Sequence, residues 1–250
     1  IKVASQISDF ENRELYRIYW ELGKIYTYIE KYEKAITEWK KIQIDNKDPL
    51  PAVQPAELYQ SFAEAYIGHL HNYKLGIEYA EKELEAKIKI HGQESAEIGI
   101  VYNRLSVCHE MLENIDRAIE YSKKSLELFN KDKNKLTEQA NAEFRLGNLY
   151  AKIKTYALSF QHYKNYLNMV IKRNVSDIDR EEKLNRAKAI RTVYLNSGEV
   201  DEEIENLLKK SGLTDVQSSG KSPEKKIEFY DYSFDSTPRN RDKKKSLDDL

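Results

Sequence analysis

The chain has 250 residues, of which 40% are hydrophobic and 33% are charged, and its formal net charge is -1. Balanced, interspersed charge gives no overall attraction to nucleic acids or anionic membranes. No apolar run approaches the roughly 18 to 20 residues that a membrane helix needs. With only 9 Gly and 5 Pro, this composition favours long amphipathic helices over strands.

The only cysteine, Cys108, excludes an internal disulfide and indicates a reducing compartment. It lies in an apolar stretch, which predicts a buried thiol. We therefore expect an intracellular protein, cytoplasmic or cytoskeletal, with the nucleus as the alternative. Since the sequence begins at Ile1 without Met, we expect it to be part of a longer protein.

Residues 1–12 are predicted to be either the tail of a preceding helix or an N-terminal approach segment, and a pair of amphipathic helices follows between Leu15 and Ile42. The apolar and aromatic residues of both helices recur at helical spacing. Gly23 in the first helix and Ala35 in the second are twelve residues apart. Small residues at these positions would let two antiparallel helices approach closely where they cross.

Three further copies of this pair follow, and each keeps both small positions. In the first helix of each pair, helix A, the small residues are Gly23, Ala63, Ser106 and Gly147. In the second, helix B, they are Ala35, Gly76, Ala118 and Ser159. Such repeats bury their apolar faces only by stacking on one another. A fifth copy has Arg191 and Glu203 at the small positions, which predicts a terminal capping pair.

The segments WELGKIY and YEKAITEW carry an aromatic, Leu-Gly, Tyr, then Ala and aromatic pattern that resembles the tetratricopeptide repeat. The long spacing is similar to that of kinesin light chains, LGN/Pins adaptors and Tonsoku-type proteins, among which the sequence does not choose. The resemblance implies an all-α, right-handed α-solenoid of stacked antiparallel helix pairs over residues 13–211. A mostly irregular tail is expected over residues 212–250.

In such a solenoid the A helices line a concave groove, and residues between their packing positions are candidates for contacting a partner. The predicted groove residues are Arg17, Trp20, Lys24, Tyr28, Gln60, Glu64, Asn103, Arg104, Asn141, Arg145, Asn148 and Lys152. The same frame includes Glu57, Ile67, Val107 and Glu110. The alternative is that these are only solvated helix residues, and that Trp20 packs against the N-terminal segment.

The segment FRLGNLY resembles the YNLGNxY form, in which Asn side chains hold the backbone of an extended peptide. Asn148 matches that motif. Arg145, and Arg104 one repeat earlier, replace the other Asn, which puts backbone clamping in doubt there. Because a guanidinium binds carboxylates in a bidentate fork, the two arginines favour an acidic partner segment.

The tail begins as a Ser-, Gly- and Lys-rich linker and continues as the acidic-aromatic segment IEFYDYSFD. Its aromatic residues are Phe229, Tyr230, Tyr232 and Phe234. This segment could occupy the groove of its own chain, pack elsewhere on the solenoid, or bind another protein. The basic run RNRDKKK is typical of a nuclear-import patch or a solubilising tail and gives only weak support for nucleic-acid binding.

No GxSxG, HExxH, P-loop, GxGxxG or CxxC motif occurs, and His69 and His71 are too close in sequence to ligate one metal from a helix. His109 replaces the usual repeat Tyr, and we expect a core histidine with a hydrogen-bond partner. We therefore expect no enzyme, cofactor or small-molecule substrate. The predicted function is binding of an extended acidic or acidic-aromatic protein segment, regulated by the tail. The alternative is a scaffold subunit of a large ciliary, cytoskeletal or chromatin assembly, held by its convex face and loops.

Overall fold

The computed structural model describes residues 2–42, 53–172, 175, 178–199 and 201–212, with side chains from residue 12 onward. This part of the chain is helical and contains no strand. Its helices are α1 (Lys2–Tyr28), α2 (Tyr32–Trp39), α3 (Pro55–Glu64), α4 (Tyr73–His91), α5 (Ala96–Met111), α6 (Ile115–Lys131), α7 (Leu136–Lys152), α8 (Tyr156–Lys172), α9 (Arg180–Ser197) and α10 (Glu202–Lys210).

The helices stack in chain order. Helices α1 and α2, α3 and α4, α5 and α6, and α7 and α8 pack as pairs, and α4 on α5 and α6 on α7 join successive pairs. The buried apolar residues accordingly form four clusters along the stack and no single centre. This arrangement is that of a repeat solenoid, so the predicted all-α fold of stacked helix pairs is confirmed.

Helix α1 begins at Lys2 and runs without interruption through residue 12, where the sequence predicted an approach segment. Of the linker and tail predicted over residues 212–250, all but Gly212 lie outside the described residues.

The glycines of helices α1 and α7 are needed because an aromatic ring from the paired helix lies directly on them. A Cβ at Gly23 would lie 1.9 Å from Nε1 of Trp39, and one at Gly147 would lie 2.4 Å from Cδ1 of Tyr163. Real Cβ atoms do not approach other atoms this closely. The close crossing predicted from the small residues is confirmed in both pairs.

At two of the helix crossings, a buried serine donates a hydrogen bond to the backbone of the paired helix. The Ser106 hydroxyl donates to the backbone carbonyl of Ala118 at 2.8 Å, and the Ser159 hydroxyl donates to that of Gly147 at 2.8 Å. All four residues are buried. The hydroxyls are thus satisfied inside the helix pair, as buried polar groups require.

The second pair contains one additional residue, and a π-helical turn accommodates it. Ala63 and Gly76 are thirteen residues apart, whereas the small residues of the other pairs are twelve apart. Helix α3 continues as a π-helical turn over Ala65–His69, in which the Leu70 amide donates to the Ala65 carbonyl at 3.0 Å. Because a π turn spans one residue more than an α turn, the insertion is absorbed before α4 begins.

The last two helices differ from the pairs before them. Ala187 and Ile190 of α9 are buried in the same cluster as the apolar residues of α8, but α10 packs mainly on α8. Arg191 is partly buried and the Glu203 side chain is 63% exposed. Gly198, with φ of +69°, forms the left-handed cap that ends α9. These helices close the C-terminal end of the stack.

Candidate partner-binding surface

Polar side chains on helices α3, α5, α7 and α9 form three hydrogen-bonded groups, each of which joins two of these helices, and together we call them the A-helix array. The groups are Gln60, Glu64 and Arg104; Asn103, Glu110, Arg145 and Lys152; and Asn141 and Arg186. Most of these residues were predicted from the sequence for the groove, and each lies within hydrogen-bond distance of another member of its group.

Arg104 is inside the protein. Its guanidinium is 6% exposed; Nη1 lies 2.6 Å from Oε1 of Glu83, and Nη2 lies 2.7 Å from Oε1 of Glu64. Glu83 is fully buried and also contacts Lys87, 3.0 Å away. Arg104 was predicted to receive an acidic partner, but two carboxylates of its own chain already occupy its fork. Its contacts join α3, α4 and α5.

Arg145 lies closer to solvent, between α5 and α7. Its Nη1 is 2.8 Å from Oε2 of Glu110, and its Nε donates to Oδ1 of Asn103 at 3.2 Å. Lys152 Nζ contacts the other oxygen of Glu110 at 2.5 Å. The side chains of Arg145 and Lys152 are 14% and 25% exposed. Two partly exposed cations therefore converge on one carboxylate.

The predicted asparagines use their amide oxygens within the chain. The Tyr163 hydroxyl donates to Oδ1 of Asn148 at 2.8 Å, and burial raises the pKa of Tyr163, so the phenol stays protonated. Asn148 itself is 9% exposed. Asn141 accepts from Nη1 of Arg186 at 2.8 Å. The backbone-clamping role of Asn148 stays a prediction.

Arg186 is a member of the array that the sequence reasoning missed. It is 1% exposed, contacts Glu182, and its guanidinium carbon lies 4.9 Å from the ring centroid of Phe144. The sequence carries a signal for Arg186, because Arg104, Arg145 and Arg186 follow one another at intervals of forty-one residues. The prediction missed Arg186 because it aligned the fifth copy of the repeat on Arg191.

Three of the four predicted residues of α1 are exposed: Arg17, Lys24 and Tyr28. Arg17 and Lys24 each pair with a glutamate three residues earlier at 2.6 Å, and such surface pairs add little stability. Trp20 is half-buried against Trp39, with ring centroids 5.9 Å apart. Tyr28 is 87% exposed.

Two residues of the wider groove frame are in the core. Ile67 and Val107 are 0% and 1% exposed, so their expected place on the surface is wrong. Ile67 lies against Gly76 of the neighbouring helix, and Val107 belongs to the same apolar cluster. Glu57 is exposed.

Residues 55–131, which form the second and third helix pairs, match the family model of the tetratricopeptide repeat. These two helix pairs are tetratricopeptide repeats. The match selects none of the long-repeat subfamilies, and no curated protein matches the chain. Tetratricopeptide repeats form a non-catalytic family that generally mediates protein–protein interaction.

The repeat position usually held by Tyr is a buried histidine here, His109, which is 4% exposed. Its ring stacks on Tyr121 with centroids 5.4 Å apart. The core position is confirmed, but its Nδ1 has no hydrogen-bond partner among the described residues. Burial, and then the charge of Arg117, lower the pKa of His109.

We expect this histidine to make the fold less stable in acid. Because the unfolded chain takes up the proton more readily than the folded one, the free energy of unfolding falls below about pH 6.5. We expect His109→Tyr to reduce the loss measured between about pH 8 and pH 5.5, by at most about 1.4 kcal/mol for each pH unit. Chemical denaturation at both pH values measures it. The exposed His91 supplies the control, His91→Gln, and an equal effect of the two changes would contradict the assignment.

The remaining predictions concern the tail, metal binding and membrane-spanning helices. The tail residues Phe229, Tyr230, Tyr232 and Phe234 lie outside the described residues. Over the described ranges, no three His, Cys, Asp or Glu side chains are grouped so that they could hold a metal ion. Within the same ranges, no helix has the length and apolar content needed to cross a bilayer.

Proposed function

We propose that this tetratricopeptide repeat protein binds an extended, acidic segment of a partner protein along the A-helix array, between α5 and α7. The observation that carries the proposal is the convergence of Arg145 and Lys152 on Glu110. Both cations are partly exposed, and an amide, Asn103, lies beside them. The buried Cys108 supports an intracellular setting, cytoplasmic or cytoskeletal, with the nucleus as the alternative.

A partner carboxylate would take the place that Glu110 holds now. Charge-assisted hydrogen bonds from a guanidinium and an ammonium are among the stronger polar contacts, and the loss of the internal contact limits the net gain. The side chain of Asn103, beside Arg145, would hold the backbone of the bound segment. Arg104 is left out of this site, because Glu83 and Glu64 already bind it.

The experiment replaces the three charged groups together, so that no unpaired charge remains. In the full chain, Glu110→Gln/Arg145→Gln/Lys152→Gln should lose a set of proteins that the wild type captures from cell lysate. The matched control on α6, Glu120→Gln/Lys123→Gln/Lys124→Gln, should keep them. Equal unfolding midpoints show that both variants are folded. Partners kept by the array variant but lost by the control would favour the alternative, a scaffold subunit held by its convex face and loops.

The acidic-aromatic tail supplies a candidate regulator. A tethered segment reaches an effective concentration on the order of millimolar near its own surface, so a weak motif would suffice. Replacing Phe229, Tyr230, Tyr232 and Phe234 by serine in the full chain should then increase partner capture. A labelled peptide of residues 226–236 should bind this variant and bind it less well when the array is also changed. Unchanged capture, with no peptide binding, would remove the tail from the proposal.

A further inference from the structure

Arginine side chains connect each A helix from α5 onward to the A helix before it. The three contacts, which we call the arginine bridges, are Arg104 to Glu64, Arg145 to Glu110, and Arg186 to Asn141. The arginines follow one another at intervals of forty-one residues. The bridge is therefore a feature of the repeat, and it recurs at each joint between successive helix pairs after the first joint.

The second pair has a serine where the bridging arginine of the later pairs lies. Arg104 and Arg145 each lie two residues before the small residue at the helix crossing, and in α3 that position is Ser61. The Ser61 hydroxyl donates to a carbonyl of its own helix, that of Glu57, at 3.0 Å. Since α3 carries serine there, the described residues include no arginine bridge between α3 and α1.

Helix α2 also offers a shorter surface to this joint than the other B helices offer to theirs. It has eight residues, whereas α4 has 19 and α6 and α8 have 17 each. At the next two joints α4 packs on α5 and α6 packs on α7, but α2 meets the second pair mainly at the π-helical turn that follows α3. The first joint therefore differs from the others in both its polar and its helix contacts.

Aromatic rings close the first joint in this structure. Tyr32 of α2 stacks on His69 of the π-helical turn, with ring centroids 3.7 Å apart. Trp39 meets Phe62 of α3 edge-on, with centroids 5.7 Å apart. Ring contacts of this kind have no charge-assisted hydrogen bond. The first joint thus depends on apolar and ring contacts, to which the later joints add their arginine bridges.

We propose that the first joint is a hinge, at which α1 and α2 swing together away from α3 while the later joints stay closed. The inference goes beyond the proposed function, whose site lies between α5 and α7, and does not depend on it. Trp20 of α1 and Gln60 of α3 hold corresponding repeat positions. Opening separates these two residues, so the width of the A-helix face changes between α1 and α3.

Thiol labelling of the full, folded chain tests the hinge with a control in the same molecule. The native Cys108 is fully buried among residues of the second and third pairs. Ala65 holds the corresponding repeat position, is 2% exposed, and belongs to the apolar cluster of the first joint. In Ala65→Cys, an aromatic disulfide reagent should modify the introduced thiol about tenfold or more faster than Cys108. Peptide mass spectrometry measures both rates, and equal rates would overturn the proposal.

A second variant supplies the missing bridge. Lys24 of α1 and Glu64 of α3 hold corresponding repeat positions, so Lys24→Glu/Ser61→Arg would pair α1 with α3 as Glu64 and Arg104 pair α3 with α5. Added to the thiol variant, it should slow modification of the introduced thiol by about tenfold and leave the native cysteine unchanged. Lys24→Glu alone is the matched control and should not slow it. An unchanged rate in the bridge variant would contradict the proposal.

Amide hydrogen exchange distinguishes a pair that swings from a pair that unfolds. A hinge keeps the backbone hydrogen bonds within α1 and α2, so their amides should report a rarer opening than the introduced thiol reports. Openings of equal frequency by the two probes would mean that the first pair unfolds, and the hinge would then be wrong.

Discussion

Glu83→Ala is expected to destabilise the folded chain by about 3–5 kcal/mol, because it leaves Arg104 and Lys87 without their shared carboxylate in the interior. Glu83 has no exposed surface, and both oxygens lie within 2.7 Å of Nη1 of Arg104. Glu64 remains, but it contacts the other terminal nitrogen, Nη2. Chemical denaturation followed by far-ultraviolet circular dichroism measures the loss.

A second variant separates the unpaired charge from the lost packing. Glu83→Leu/Lys87→Met/Arg104→Met removes the buried carboxylate together with both of its cations and fills similar space, and replacing buried ion pairs by apolar residues is often neutral. We expect this triple variant to recover most of the stability. Glu120 and Lys124 form an exposed pair with the same four-residue spacing as Glu83 and Lys87. They supply the control, and Glu120→Ala should cost less than about 1 kcal/mol. If Glu83→Ala cost no more than this control, the buried pair would not hold the three helices together.

Gly147→Ala is expected to cost about 2–3 kcal/mol, although the same change in an open helix stabilises by up to about 1 kcal/mol. The new methyl group would lie 2.4 Å from two ring carbons of Tyr163. That ring is fully buried and held through its hydroxyl by Asn148, so it cannot turn away. Thermal and denaturant unfolding measure the change.

The second-site test for this prediction removes the ring. Tyr163→Leu shortens the side chain that meets the new methyl group, so Gly147→Ala should cost much less in that background. The double-mutant cycle should therefore give a coupling energy of about 1 kcal/mol or more. Tyr163→Phe keeps the ring and removes only the hydroxyl, and it should leave the cost of Gly147→Ala largely unchanged. Additive effects of Gly147→Ala and Tyr163→Leu would mean that the ring does not set the approach of α7 and α8.

The close crossings could be predicted because side-chain volume is a property of single residues that recurs with the repeat. Gly23, Ser106 and Gly147 each lie where two paired helices cross closely, and their spacing along the sequence predicts those crossings. The π-helical turn left only an indirect trace, a spacing of thirteen where twelve is the rule.

The state of the polar residues could not be predicted in the same way. Arg104 and Arg145 hold the same repeat position, yet one is inside a network and the other is partly open. The difference arises from Glu83, which lies on another helix twenty-one residues before Arg104. Which residues meet across helices depends on how successive pairs are rotated, and a single repeat does not encode this.

The polar contacts between successive A helices also have a mechanical consequence. Three contacts link successive A helices on one side of the stack and act as ties. They join Glu64 to Arg104, Glu110 to Arg145 and Asn141 to Arg186. Spreading that side must pull charged groups apart, while pressing it together need not, so the elastic response should be unequal in the two directions. Salt screens exposed charges more than buried ones, so added salt should soften the outer tie at Arg145 before the inner one at Arg104.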